Sequence, residues 1–439
     1  MSAIFNIIYI TALTFSSPYL LLKILTNKRY RSGIPQRLGW ITVRERKSPC
    51  MWIHCASVGE VLTIKTLVKH LEKEFNTWDI VLSTNTNTGL FVAQKNFPGR
   101  KVFYLPLDFS WIIDKVLNAI APNCLILIEL ELWPNFIMAA AKRNIPVILL
   151  NARISEKSLK WYRILSKISE RFFESITRKG NFFCARTSGD ADRLKNWGIP
   201  EEQMVITGNM KFDTIITTLP KETEVQLTQV FEIDKQDKII VCGSTHEGEE
   251  IILLRTFQHI RKKFNTLRFI LVPRHIERVN DIITVIESLG LKHVKKTSLD
   301  KGEGTIDRQK YETVILVDTV GDLLATYSIA DCVFVGKSLV PKGGQNILEP
   351  AGLAKPIIIG PYTFNFHEEV QLLKEADAIK IVQDESSLSN EMMYVLEHPV
   401  EAQNMGKRAQ AAVRKQRGAT DRNVRIIREI LLKEKVVFI

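Results

Sequence analysis

What most limits the fold of this chain is a recurring alternation. From Met51 onward, short runs rich in β-branched and aromatic residues, "MWIH", "DIVLST", "KVFYLP", "CLILIE", "PVILLNA", "FFCAR" and "MVITG", are separated by segments of helix length. A second series starts after about Lys235 with "KIIVCGS", "LRFILVP", "TVILVD", "CVFVG", "PIIIG" and "AIKIV". Apolar runs this short, with little polar alternation, suit strands buried on both faces, as in parallel sheets covered by helices. Two series predict two doubly wound α/β domains, at 50–212 and 235–415. The length of 439 residues agrees, since one core stops growing well before that size. The polar, proline-containing stretch 213–238 reads as the linker. The helical end, 416–439, reads as a segment able to pack back on the first domain.

The first residues follow another pattern. Residues 4–22, "IFNIIYITALTFSSPYLLL", carry no charge over 19 positions. At ~1.5 Å per residue that about spans a hydrocarbon core of roughly 30 Å. Lys23, Lys28, Arg29, Arg31 and Arg37 follow, and the positive-inside tendency puts the rest of the chain in the cytoplasm. Residues 1–25 are therefore expected to be an inner-membrane anchor. Asn6, Ser16, Ser17 and Pro18 leave a second reading open, a helix lying in the interface.

The net charge of +12 favours an anionic partner. No zinc-ligand spacing, RNA-binding aromatic signature or compact basic tail is present, which argues against nucleic acid. Cys50, Cys55, Cys124, Cys184, Cys242 and Cys332 lie in or beside apolar runs and read as buried core residues in a reducing compartment.

In open α/β sheets, ligands bind beyond the carboxyl ends of strands, so polar residues just after strands are the candidates. "ASVGE" places Glu60 at the start of a helix, where a carboxylate is either an ordinary first-turn acid or a group with a task. "ELELWPN" places Glu129 and Glu131 after a strand, on one strand face if the alternation continues. They form a salt bridge or serve chemistry. "GNMKFD" places Lys211 after a strand and a glycine, able to neutralise an anion. In the second series, Pro273 and Arg274 end a strand, and guanidinium suits phosphate. His275 reads as structural or a minor contact. Val320, Gly321 and Asp322 form a turn at a helix start. Gly343, Gly344 and Gln345 precede a short helix at Asn346, Ile347, Leu348 and Glu349. "GSTHEGEE" is a further loop of this kind. There is no GxxxxGK[ST], so this is no P-loop NTPase.

Taken in order, "WIHCASVGE", "ELELWPN", "NARIS", "GNMKFD", "GSTHEGEE", "VPRH", "ADCVFVGKSLVPKGGQNILEPAG" and "GPYTFNF" resemble the 3-deoxy-D-manno-octulosonic acid (Kdo) transferases of lipopolysaccharide synthesis. The resemblance implies a GT-B glycosyltransferase, with two Rossmann-like domains facing a central cleft. The first would be the acceptor domain and the second the donor domain. It implies CMP-Kdo as donor and the lipid A precursor at the inner membrane as acceptor. It also implies Glu60 as proton acceptor, with Glu131 and Lys211 stabilising the transition state. CMP contacts carry over to Pro273, Arg274, Val320, Gly321, Asp322, Asn346, Ile347, Leu348 and Glu349. Three positions depart from the common pattern: Asp322 replaces Glu, Gln345 replaces His, and Lys337 stands where a second Gly is usual.

One base and a departing nucleotide imply direct displacement with inversion. No paired-aspartate motif stands out, and basic residues can meet the phosphate charge, so no metal or other cofactor is expected. Segment 157–179 mixes Trp161, Tyr162, Phe172 and Phe173 with lysine and arginine. It docks on an anionic membrane face, or it packs an aromatic stripe on the core. A nucleotide-sugar epimerase of the same architecture and a non-catalytic membrane-tethered nucleotide-binding protein are the rival readings.

Overall fold

The computed structural model describes residues 2–26, 31–304 and 312–433. The chain divides into two compact units. Unit 1 is Met1–Thr214 with Gln416–Ile439, and unit 2 is Ile215–Lys415.

Unit 1 is built on seven strands: β1 (Cys50–His54), β2 (Asp79–Thr84), β3 (Lys101–Tyr104), β4 (Cys124–Ile128), β5 (Val147–Ala152), β6 (Phe182–Ala185) and β7 (Met204–Ile206). Their order is β3-β2-β1-β4-β5-β6-β7, and every pair is parallel. Side chains alternate between the faces. Cys50 and Trp52 enter one buried cluster, and Met51 and Ile53 enter the other. Both faces are therefore covered, which explains why these runs show no polar alternation. Trp52 is fully buried against Phe103 and Phe136, at ring separations of 5.3 and 4.9 Å. Trimming it to alanine would cost ~3–5 kcal/mol.

Unit 2 repeats the plan with β8 (Lys238–Thr245), β9 (Leu267–Pro273), β10 (Lys292–Lys295), β11 (Thr313–Leu316), β12 (Cys332–Val335), β13 (Ile357–Ile359) and β14 (Lys380–Ile381). The order is β10-β11-β9-β8-β12-β13-β14, again all parallel. The sequence reading has no counterpart of β10. "KHVK" is a polar edge strand with one buried side chain, Val294, and it carries no apolar run.

Three further features have local causes. The stretch read as a linker contains the helix Lys221–Val230, held by buried Leu227 and by Phe231 just after it. The segment Gln416–Ile439 belongs to unit 1. Its helix, Ala419–Lys433, puts Ala419, Ile427 and Leu431 into the cluster around Met51 and Ile53, and Asp213 accepts hydrogen bonds from the Gly418 and Thr420 amides. The amino-terminal segment forms a helix, α1 (Ser2–Thr26), but among the described residues no helix is long and apolar enough to cross a membrane. The early turns of α1 instead dock on unit 1. Phe5 is buried edge-on to Phe172, and the Asn6 amide exchanges hydrogen bonds with Ser110 and accepts one from the Asn135 side chain. Polar Asn6 is thus satisfied by protein partners. Leu13, Phe15, Tyr19, Leu21, Leu22 and Leu25 remain exposed. All six cysteines are buried free thiols.

Candidate functional site

In unit 1 the site grows from the ends of β1 and β4, where the strand order reverses direction. Ser57 caps the helix α2 (Val58–Thr63), accepting the Glu60 amide N–H. The Glu60 carboxylate reaches back: Oε2 accepts the Ala56 N–H and Oε1 the Ser57 hydroxyl, both at 2.8 Å. This is a variant of the capping box. Burial nonetheless pushes the Glu60 pKa up to about 7, helped by the charges of Glu129 and Glu131 and opposed by the two hydrogen bonds. The two readings of Glu60 therefore coincide. The cap fixes its orientation, while burial and two acids bring its proton affinity into the neutral range. A carboxylate has about four lone-pair sites, so two accepted bonds leave room for a substrate proton.

Glu129 and Glu131 do not continue the strand. β4 ends at Ile128, and Glu129 adopts a left-handed φ of 61° while donating its N–H to the Leu150 carbonyl. The expectation of two acids on one strand face fails because the chain turns out of the sheet there. Glu131 Oε2 accepts from Trp133 Nε1 at 2.8 Å and Asn85 Nδ2 at 3.3 Å, and lies 3.4 Å from His54 Nε2. Burial opposes its charge, but these groups prevail and hold its pKa below the ordinary value. Behind it runs a buried chain. Trp52 Nε1 lies 2.8 Å from Ser83 Oγ, which lies 2.9 Å from His54 Nδ1. Indole can only donate, so the assignment satisfying every member has Trp52 donating to Ser83, Ser83 to His54 Nδ1, and His54 Nε2–H to Glu131.

Lys211 lies on the 3-10 helix Met210–Thr214, which packs against α2. The Met210 amide donates to Asn151 Oδ1 at 3.0 Å, so the "NARIS" and "GNMKFD" stretches meet. His54, Asn85 and Trp133 were not singled out from the sequence. A polar residue closing the apolar run "MWIH" was the one available signal.

Unit 2 gathers its loops differently. Glu249 opens a helix, α3 (Glu249–Ile260), and is fully buried. Its carboxylate accepts four backbone N–H groups, from His246, Lys337, Ser338 and Leu339 at 2.6–3.0 Å, and so staples the loop after β8 to the loop after β12. Nothing in "GSTHEGEE" itself marks this role, because three of the four donors lie in the loop after β12. Pro273 ends β9 and is buried. The Arg274 amide donates to the Thr245 carbonyl, and its exposed guanidinium has no hydrogen bond or ion pair among the described residues. Val320 is 83% exposed and Gly321 has φ 104°. Asp322 begins the helix Leu323–Ser328, accepts the Thr319 hydroxyl and pairs with Lys296 at 3.3 Å. Asn346 donates to Glu349 at 3.0 Å and accepts the Leu348 amide, while Ile347 and Leu348 are buried. The last two shape the backbone there and expose no side chain to a ligand.

Residues 32–214 match the family described as 3-Deoxy-D-manno-octulosonic-acid transferase (kdotransferase). The 3-deoxy-D-manno-octulosonic acid transferase of Haemophilus influenzae is 31% identical over 409 residues, 92% of each chain. That of Chlamydia pneumoniae is 30% identical, over 84% of this chain and 82% of its own. Among solved structures, the UDP-GlcNAc 2-epimerase of Neisseria meningitidis bound to UDP-GlcNAc aligns with a TM-score of 0.57. It covers 88% of this chain and 100% of its own at 17% identity, a likeness of GT-B-like fold alone. Reached by the fold, the strand-end carboxylates and these relatives together, the conclusion is that the chain belongs to the Kdo transferase family, the glycosyltransferases that transfer Kdo in lipopolysaccharide synthesis.

Proposed function

We propose that the protein moves Kdo from CMP-Kdo to a lipid A precursor, by direct displacement with inversion, at the cytoplasmic side of the inner membrane. The observation that carries this is Glu60, an oriented carboxylate whose pKa of about 7 matches a general base at neutral pH. The acceptor hydroxyl oxygen forms a bond to the anomeric carbon of Kdo. The bond from that carbon to the phosphate oxygen breaks, and CMP leaves with the electron pair. The hydroxyl proton passes to Glu60, which contributes about 10²–10⁴-fold. Glu131, kept ionised by its donors, and Lys211 stabilise the charges of the transition state.

In unit 2, the guanidinium of Arg274, unpaired among the described residues, suits the CMP phosphate. Pro273, Val320, Gly321, Asp322 and the Asn346, Ile347, Leu348 and Glu349 group shape the rest of the nucleotide site. With cationic side chains meeting the phosphate, no metal takes part. Excess chelator leaves the rate unchanged, and a rate restored only by a divalent ion would overturn that part.

The exposed apolar face of α1 and the exposed Trp161 support contact with a membrane. The deciding experiment incubates the full chain with CMP-Kdo, with and without lipid A precursor, and weighs the products. Lipid heavier by Kdo units is expected only with both substrates. Conversion of CMP-Kdo without acceptor would favour the epimerase reading.

A further inference from the structure

A cavity of about 630 Å³ opens in unit 1, within the usual ~300–1,000 Å³ of small-molecule sites. Glu131 and Trp133 form one wall and Arg153 another. Trp161 and Tyr162, from the helix α4 (Glu156–Ile168), close a third side. Tyr9, from α1, also lines it. The amino-terminal helix therefore lines a cavity that has Glu131 in common with the proposed reaction centre.

The polar atoms of this lining are largely spent on the protein itself. Tyr9 donates its hydroxyl to Asp108 at 3.0 Å, Tyr162 to the Leu130 carbonyl at 3.2 Å, and Trp133 its indole N–H to Glu131. Asp108 is in turn locked by the Asn135 and Phe136 amides. The rings are thus held rigidly and present apolar surface. Arg153 is the single cation among the described lining residues, is exposed, and has no hydrogen bond or ion pair among the described residues. Opposite charges thereby orient an occupant. Phosphate is drawn to Arg153 and repelled by Glu129 and Glu131, whose end is left to a neutral hydroxyl. Outside, Trp161 continues into exposed Ile164 and Ile168, three and seven residues on and hence on one helix face. Lys157, Lys160 and Lys167 flank this stripe and are exposed.

We infer that this cavity holds the phosphorylated, acylated sugar of the acceptor, with Arg153 on a phosphate and Tyr9, Trp133 and Trp161 on its apolar part, so that α1 is a wall of the acceptor site as well as an attachment. The inference rests on the proposed acceptor and deepens it. A glycolipid fits better than a free sugar phosphate because the aromatic lining and the exposed stripe exceed what a polar sugar needs.

The test is equilibrium binding of lipid A precursor and of its dephosphorylated form to the full chain in detergent, without donor. Trp161→Ala and Arg153→Gln change exposed side chains, so folding is not at issue. Trp161→Ala weakens both lipids about tenfold. Arg153→Gln weakens only the phosphorylated one, about tenfold, and abolishes the preference for it. Tyr9→Phe, which keeps the ring, binds within about twofold of wild type, whereas Tyr9→Ala does not. Unaltered lipid binding in both Trp161→Ala and Arg153→Gln overturns the inference. Wild-type binding without transfer from CMP-Kdo would instead strike the proposed function and leave the cavity standing.

Discussion

Glu60 and Glu249 occupy matching places in two similar sheets. Each follows a glycine, each lies in the first turn of the helix after the first strand of its sheet, and each accepts an amide N–H from its own loop. Burial raises the pKa of both. Their surroundings differ. Glu249 takes three more backbone N–H groups from the loop after β12 and is sealed from solvent. Glu60 takes one hydroxyl and stays half-buried beside two other acids. A carboxylate saturated by backbone donors holds loops together. One left with spare lone pairs and a neutral-range pKa can exchange a proton.

The same isosteric change at both positions tests this contrast most severely. Glu60→Gln preserves the cap, because the amide can accept from Ala56 and donate to Ser57. Kdo transfer falls about 10²–10⁴-fold with CMP binding and melting temperature little changed. Near-normal transfer would remove Glu60 from the base role. In Glu249→Gln, the new NH₂ group must face two backbone donors, at a cost of about 3 kcal/mol. A lowered melting temperature and weaker CMP binding are expected, and a variant as stable as wild type would break the comparison.

Acidity gives a smaller effect. The folded Glu60 pKa lies above its ordinary 4.5. The rate therefore rises with pH up to about 7 and then levels. Between those values the folded state holds a proton that the unfolded state has lost, so this group's contribution to stability declines as pH rises through the window. Glu60→Gln loses both dependences, which paired rate and melting profiles would reveal. The smallest effect concerns Lys337, whose φ of 62° lies in the left-handed region. Lys337→Gly should stabilise unit 2 by about 1 kcal/mol in denaturant titration, and a loss of stability would count against backbone strain there.

Much of the architecture could be read in advance from β-branched runs, because parallel strands buried on both faces show little polar alternation. "KHVK" escaped because an edge strand needs one buried residue, not a run. The helix at Lys221–Val230 escaped because two apolar contacts suffice to dock it. At the site, strand-end position pointed to Glu60, Glu131 and Arg274. It could not separate "VGE" from "EGE", since the donors that seal Glu249 come from about 90 residues away in the chain. The role of His54 depends on Ser83, Trp52 and Glu131, which only the folded sheet brings together. The left-handed backbone at Lys337 suits glycine, a constraint set by the fold that its neighbours in sequence do not signal.

The closing helix Ala419–Lys433 also constrains how the protein is made. Ala419, Ile427 and Leu431 complete a core that otherwise draws on the first half of the chain. On the ribosome, unit 2 is complete at Lys415, while unit 1 waits with apolar surface uncovered until the helix Ala419–Lys433 has been made. Nascent chains stalled before residue 419 should therefore need chaperone protection for the half synthesised first. By the same logic, 215–415 is the fragment to express alone.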